Sequence, residues 1–214
     1  MAEPSSTDAG AGGRRSAKAS AGKAGGAKTT RGKGDAAKPA RPRATRPRRS
    51  AKQRQVEETA RAYFDALAAR DADRMASHWS EEGVDDIVPL AVLRGPDEVR
   101  RFFTELFAAF PDGEMTVRRV VADERQAAVE WRITGTFTGG PFQGVEPTGR
   151  WLELRGVDLL EVEDGRLTRN TSYYDGAAFA RQIGMLPPQD SGAERAMKNA
   201  FNAYMRVRRS MGAG

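Results

Sequence analysis

Beyond residue 54 the apolar positions follow a helical period first and a strand period afterwards. Val56, Ala60, Tyr63, Phe64 and Leu67 recur at i, i+4, i+7, i+8 and i+11. That stripe predicts a helix over 55–70. Asp71 then reads as the N-cap of a second, short helix over "ADRMASHWS", with Met75 and Trp79 as its buried side. "VDDIVPL" reads as a short extended piece. Gly95-Pro96-Asp97-Glu98 opens a third helix, with proline at its start and acids in its first turn. Val99, Phe102, Phe103, Leu106 and Phe110 form its apolar face, and Pro111-Asp112-Gly113 ends it.

From Glu114 the period shortens to two. "EMTVRRVVA" turns into "AAVEWRITGTFTG", where Val129, Trp131, Ile133 and Phe137 alternate with Glu130, Arg132, Thr134 and Thr136. The loop "GPFQGVEPTG" leads to "RWLELRGVDLLEVE", and "EDGR" turns the chain back into "LTRNTSYYD". The helix "GAAFARQIGM" follows, with Asp175 as its expected N-cap in preference to a catalytic role, and Pro187 and Pro188 behind it. A last helix, 191–209, gathers Met197, Phe201, Tyr204 and Val207. Helices followed by a meander of long strands predict an α+β domain. Its expected form is a cone, a curved antiparallel sheet with helices packed on one side. The cone's open mouth and apolar interior suit a small molecule.

Charge changes the picture at the N-terminus. Residues 1–52 hold 14 Lys and Arg against three acids, a net of +11, whereas 53–214 carry a net of −5. The first 52 residues contain no Val, Leu, Ile, Phe, Tyr or Trp. They cannot bury enough apolar surface to offset the entropy of ordering, so a disordered basic tail is expected. Lys18, Lys23, Lys28, Lys33 and Lys38 recur every five residues, which makes no helical stripe. Such an arm either contacts nucleic acid or another polyanion without sequence preference, or serves as a solubilising extension. A tether to an anionic membrane or an acidic partner is a further reading. The expected organisation is thus a tail over 1–52, a cone domain over 53–190, and an amphipathic helix with a short end over 191–214.

The chain has no cysteine and one histidine, His78. Disulfides and thiolate sites are excluded, and a zinc or iron site is not expected. No cofactor is called for. No segment is apolar enough to span a bilayer or to act as a secretory signal, so a soluble, cytoplasmic protein is expected. "GTFTGGPFQG" has no helix behind it and does not make a phosphate cradle. His78 reads as structural, and Arg132 as sheet surface paired with Glu130 or an opposite strand. The sharpest chemical signal is Asp158. Alternation puts it in one row with Leu152, Leu154, Leu160 and Val162. A carboxyl in an apolar row gains a raised pKa, which suits a general acid or hydrogen-bond donor. The plainer reading is a buried carboxyl satisfying a neighbouring donor.

The segments "YFDALAARDADRM", "GPDEVRRFF", "FTGGPFQGVEPTGR" and "EVEDGRLTRNTSYYD", in this order, resemble the SnoaL-like polyketide cyclases over roughly residues 55–187. These belong to the nuclear-transport-factor-2-like superfamily, with the ketosteroid isomerases. The resemblance to the isomerases implies an oxyanion-binding pair, Tyr63 on the first helix and Asp158 in a late strand. It implies a general base at Asp86, with Asp85 equally eligible. The resemblance to the cyclases puts Ser172 near their acid/base aspartate and Asp158 in the place of their histidine. Trp79, Phe103, Tyr173 and Asn170 are the candidate substrate-binding residues. The expected activity is proton transfer on an apolar carbonyl compound, as in an isomerase or aldol-type cyclase. The alternative is a non-catalytic ligand-binding or dimerisation module whose basic arm binds a polyanion. A homodimer is expected in either case.

Overall fold

The computed structural model describes residues 49–211. The expected tail lies almost wholly outside that range. Helix α1 spans Ala51–Ala68, starting earlier than its apolar stripe because the Ser50 hydroxyl caps it, accepting the Gln53 N–H at 3.1 Å. Ala51 and Lys52 therefore belong to the helix and not to the tail. Val56, Ala60, Tyr63, Phe64 and Leu67 are all buried, as their spacing predicts. Asp71 caps α2 (Ala72–Ser77) by accepting the Arg74 N–H at 2.9 Å. This helix is shorter than expected, and Trp79 instead opens strand β1 (Trp79–Val88). A four-residue strand, β2 (Ala91–Arg94), pairs back on β1. Helix α3 (Gly95–Ala109) follows, with Pro96 in its first turn and Glu98 accepting the Arg94 N–H at 2.7 Å.

Four long strands complete the sheet: β3 (Glu114–Ala122), β4 (Gln126–Thr136), β5 (Trp151–Glu163) and β6 (Arg166–Tyr174). The six-stranded order is β2-β1-β6-β5-β4-β3. Every neighbouring pair is antiparallel except β1 and β6, which run parallel. The fold is the expected α+β arrangement, with the helices on one side of a curved sheet. In β5, Leu152, Leu154, Asp158, Leu160 and Val162 all face inward and are buried.

Strand β6 departs from simple alternation. Glu161 pairs with Arg169 while Val162 pairs with Leu167, which leaves Thr168 unopposed in a bulge. The extra residue switches the parity of the strand. Leu167 faces the core before the bulge, and Asn170 and Ser172 face it afterwards.

Helix α4 (Gly176–Gln182) closes the domain, and Asp175 caps it by accepting the Ala178 N–H at 2.8 Å. Helix α5 spans Gly192–Met211. Among the described residues, no helix is long and apolar enough to cross a membrane.

Candidate active site

A cavity opens between the helices and the inner face of the sheet. It opens to solvent and holds about 100 Å³ of space for water-sized groups. Phe64, Phe102, Phe103, Ile133, Phe142 and Leu154 give it an apolar wall. Asp85, Asp158, Asn170 and Ser172 stand together on one side. This is the usual composition of a small-molecule site, an apolar lining with a few placed polar groups.

Three adjacent strands bring the polar residues together. Asp85 on β1 is the register partner of Asn170 on β6, and Ser172 on β6 is the partner of Asp158 on β5. The Asn170 amide nitrogen donates to Asp85 Oδ1 at 2.9 Å and to Asp158 Oδ2 at 2.8 Å. One side-chain amide thus bridges two buried carboxyls. The indole N–H of Trp131 donates to the other Asp158 oxygen at 2.7 Å. Trp131 reaches it because its register partner on β5 is Gly156. A Cβ there would lie 2.3 Å from Trp131 Cζ2 and 2.6 Å from the Tyr173 carbonyl. The glycine opens the strand surface on which the indole lies.

The two carboxyls differ in their surroundings. Among the described residues, no cation hydrogen-bonds to either. Burial pushes Asp158 up, and the bonds it accepts from Trp131 and Asn170, together with the nearby Ser172 hydroxyl, oppose that push. Among the described residues, Asp85 accepts from Asn170 alone. Burial first, and then the negative charge of Asp158, push Asp85 up to about 8. Two donors favour the charged form at Asp158 against one at Asp85, so the anion settles at Asp158 and the proton stays on Asp85. Once Asp158 has ionised, the pair holds a neutral acid beside a carboxylate until Asp85 loses its proton at about 8.

Tyr63 lies behind Asp85. Burial, then the charges of Asp85 and Asp158, raise its hydroxyl well above the usual phenol range. It feels both Asp85 and the Trp79 indole, yet Tyr63 Oη, Trp79 Nε1 and Asp85 Oδ2 complete no hydrogen bond of acceptable geometry among the described residues.

The structure brings Asp158, Asn170 and Phe103 to the cavity and leaves four other candidates off its wall. Asp86 points away, because alternation along β1 turns Asp85 and Ile87 inward. Of the two eligible aspartates on β1, Asp85 is the one that lines the cavity. Tyr173 is exposed on the outer sheet face, since the bulge at Thr168 turns Asn170, Ser172 and Tyr174 inward instead. Trp79 is fully buried in the core, edge-on to Tyr63 with ring centroids 6.0 Å apart. Tyr63 is core too, and meets Asp85 more closely than Asp158.

His78 ends α2 against Tyr63, and burial lowers its pKa. Arg132 faces outward and pairs across the strands with Glu153, donating at 2.8 and 2.7 Å. The contribution of Trp131 was not anticipated. Its only sequence signal is an inward tryptophan opposite a strand glycine. Among the described residues, no cluster of three His, Asp or Glu side chains is placed to hold a metal ion.

A curved α+β sheet around an apolar cavity with a paired acid site defines a cone-fold domain of the small-molecule-binding type. Residues 57–183 match the family model of the SnoaL-like polyketide cyclases, more than half of the chain, and the chain belongs to that family. Solved structures agree on the fold. A candidate SnoaL-like polyketide cyclase from Jannaschia sp. CCS1 is 26% identical, with a TM-score of 0.59, covering 66% of this chain and 99% of its own. AclR from Streptomyces galilaeus, a candidate hydroxylase, is 22% identical, with a TM-score of 0.56, covering 73% and 98%. A candidate polyketide cyclase from Xanthomonas campestris pv. campestris is 19% identical, with a TM-score of 0.54, covering 63% and 100%. No curated protein matches the chain at a significant level.

Proposed function

We propose that the domain is a cofactor-independent enzyme that enolises an apolar carbonyl compound, as an isomerase or an aldol-type cyclase. The observation that carries this reading is the Asn170 amide holding Asp85 and Asp158 together at the wall of an apolar cavity. Two acids whose surroundings push their pKa values apart supply an acid and a base at one pH.

In this reading the Asp158 carboxylate removes a proton from the carbon next to the carbonyl. The C–H electron pair forms the enol double bond. Asp85, still protonated, hydrogen-bonds to the carbonyl oxygen as negative charge develops on it. Asn170 orients both carboxyls, and Trp131 orients Asp158. In an isomerase, Asp158 returns the proton at a second carbon. In a cyclase, the enolate carbon attacks another carbonyl of the same molecule, the new alkoxide takes the proton of Asp85, and the proton that Asp158 removed passes back to Asp85 to restore the pair. The apolar wall favours hydrocarbon-rich substrates and keeps water from competing.

The experiment is exchange at carbon, which needs no knowledge of the final product. The full chain is incubated in deuterated water with a panel of apolar ketones, and deuterium at the α-carbon is followed by NMR. Exchange should fall about 10²–10⁴-fold in Asp158→Asn. The rate should rise as Asp158 ionises and fall above about pH 8 as Asp85 loses its proton. The competing reading, a ligand-binding scaffold, predicts binding of planar phenols without any exchange. Phenol binding with no deuteration of any ketone would establish the scaffold in place of the enzyme.

A further inference from the structure

Helix α5 is tied to the body at its first turn. The Ser191 hydroxyl accepts the Glu194 N–H at 3.1 Å. Glu194 is buried; it accepts the Asp190 N–H at 2.8 Å and pairs with Lys198 at 3.1 Å and Arg181 at 3.4 Å. From Arg195 to Met211 every residue except Met205 is exposed. A helix of 20 residues is about 30 Å long, and without tertiary cover such a helix is marginal in water. Its stability calls for a partner.

The uncovered face has a defined chemistry. Met197, Phe201, Tyr204, Val207 and Met211 follow one another at steps of four, three, three and four, which keeps them on one side. Phe201 is 61% exposed, Tyr204 60% and Val207 57%, unusual values for side chains of this size in a row. The rest of the helix is cationic. Beyond Glu194 it has no acid and five basic residues, Arg195, Lys198, Arg206, Arg208 and Arg209. Residues 53–191 are the opposite, with 25 acids against 16 basic residues, a net of −9. The cations are thus concentrated on the element that carries the exposed apolar stripe.

Different partners satisfy different halves of this pattern. Nucleic acid would take the cations and leave five large apolar side chains in water. A second copy of the helix would cover the stripe but set cation against cation, since each helix offers only Glu194, already paired, as a counter-charge. An anionic bilayer surface takes both halves. We propose that α5 lies in the plane of an anionic membrane. Its stripe would enter the headgroup–acyl boundary, and its arginines and lysine would meet the lipid phosphates. Residues 1–52, with a net of +11, would add attraction to the same surface.

The test is flotation of the full chain with vesicles of phosphatidylcholine, alone or mixed with phosphatidylglycerol. The chain should float with the mixed vesicles and much less with phosphatidylcholine alone. The double variant Phe201→Ser, Val207→Ser leaves every charge in place and changes only exposed residues, so its melting temperature should match wild type. Its partition to the mixed vesicles should fall about tenfold or more. Equal flotation of wild type and variant would assign any binding to basic charge alone and overturn the role of α5. Absence of flotation, with a wild-type dimer that the variant turns into a monomer, would overturn it in favour of a second copy.

Discussion

Glu153 and Asp158 sit on the same strand, five residues apart, on opposite faces of the sheet. Glu153 faces outward, where Arg132 on β4 grips it with two hydrogen bonds and holds its carboxyl down at about 2. Asp158 faces inward, where burial raises it and only neutral donors answer. The outer carboxylate keeps its charge at any ordinary pH and staples two strands. The inner one shares its site with a second acid, Asp85, so a proton remains available near neutrality. The difference lies not in residue type or backbone but in what the opposite strand supplies. A guanidinium removes a carboxyl from acid–base chemistry, whereas an amide and an indole orient it and leave it in play.

The largest expected break in this comparison comes from Asp85. Its folded pKa is about 8, against an ordinary value of 3.8. Between those values the folded chain holds a proton that the unfolded chain has released. Stability should therefore fall as pH rises from about 4 to about 8 and level off above it, by on the order of a few kcal/mol. Asp85→Asn mimics the protonated acid and should flatten much of that decline, the remaining slope belonging to Asp158. Denaturant unfolding of both proteins across this range measures it. Parallel curves would mean that Asp85 titrates normally and that the acid–base division of the pair is wrong.

A smaller break comes from Gly156. A methyl group there meets the Trp131 ring and the backbone carbonyl of Tyr173, and the carbonyl cannot step aside cheaply. Gly156→Ala should cost about 1–3 kcal/mol in unfolding free energy. It should also move the Trp131 indole off Asp158, removing one of the donors that favour the anion. A lower denaturation midpoint together with an acid limb of the exchange profile shifted upward is the expected result. A lower midpoint with an unmoved limb would show that Trp131 only fills space.

These residues also show how far the sequence could be read. The β5 row was legible because its alternation runs unbroken from Leu152 to Val162, and burial follows parity. The caps at Asp71 and Asp175 were legible because an N-cap is a local signal. The choice between Asp85 and Asp86 was not. It depends on where β1 begins, and Trp79 looked helical by its spacing from Met75. Asn170 was a candidate for the pocket, but its bridging role depends on a parallel pairing of β1 with β6, which no local pattern encodes. Tyr173 was misplaced because one bulged residue, Thr168, reverses every later side chain in its strand. Phe142 reaches the cavity from a loop, where neither period applies.

The smallest effect is expected from Glu153→Gln, and it tests whether the two faces of β5 are independent. The substitution removes the charge that Arg132 grips but keeps a side chain of the same shape. Glu153 has its folded pKa below its ordinary value of 4.5, at about 2. Its stabilising contribution is present above the ordinary value and disappears as pH falls toward about 2. Wild type and variant should thus differ slightly in melting temperature at neutral pH and converge in acid. The inner site should not register the change, because Asp158 receives its donors from Trp131 and Asn170, both on the inner face. Both limbs of the exchange profile should stay where they are. A displaced limb would mean that the Arg132–Glu153 pair sets the β4–β5 register on which the Trp131–Asp158 bond depends, and the outer face would then be part of the site.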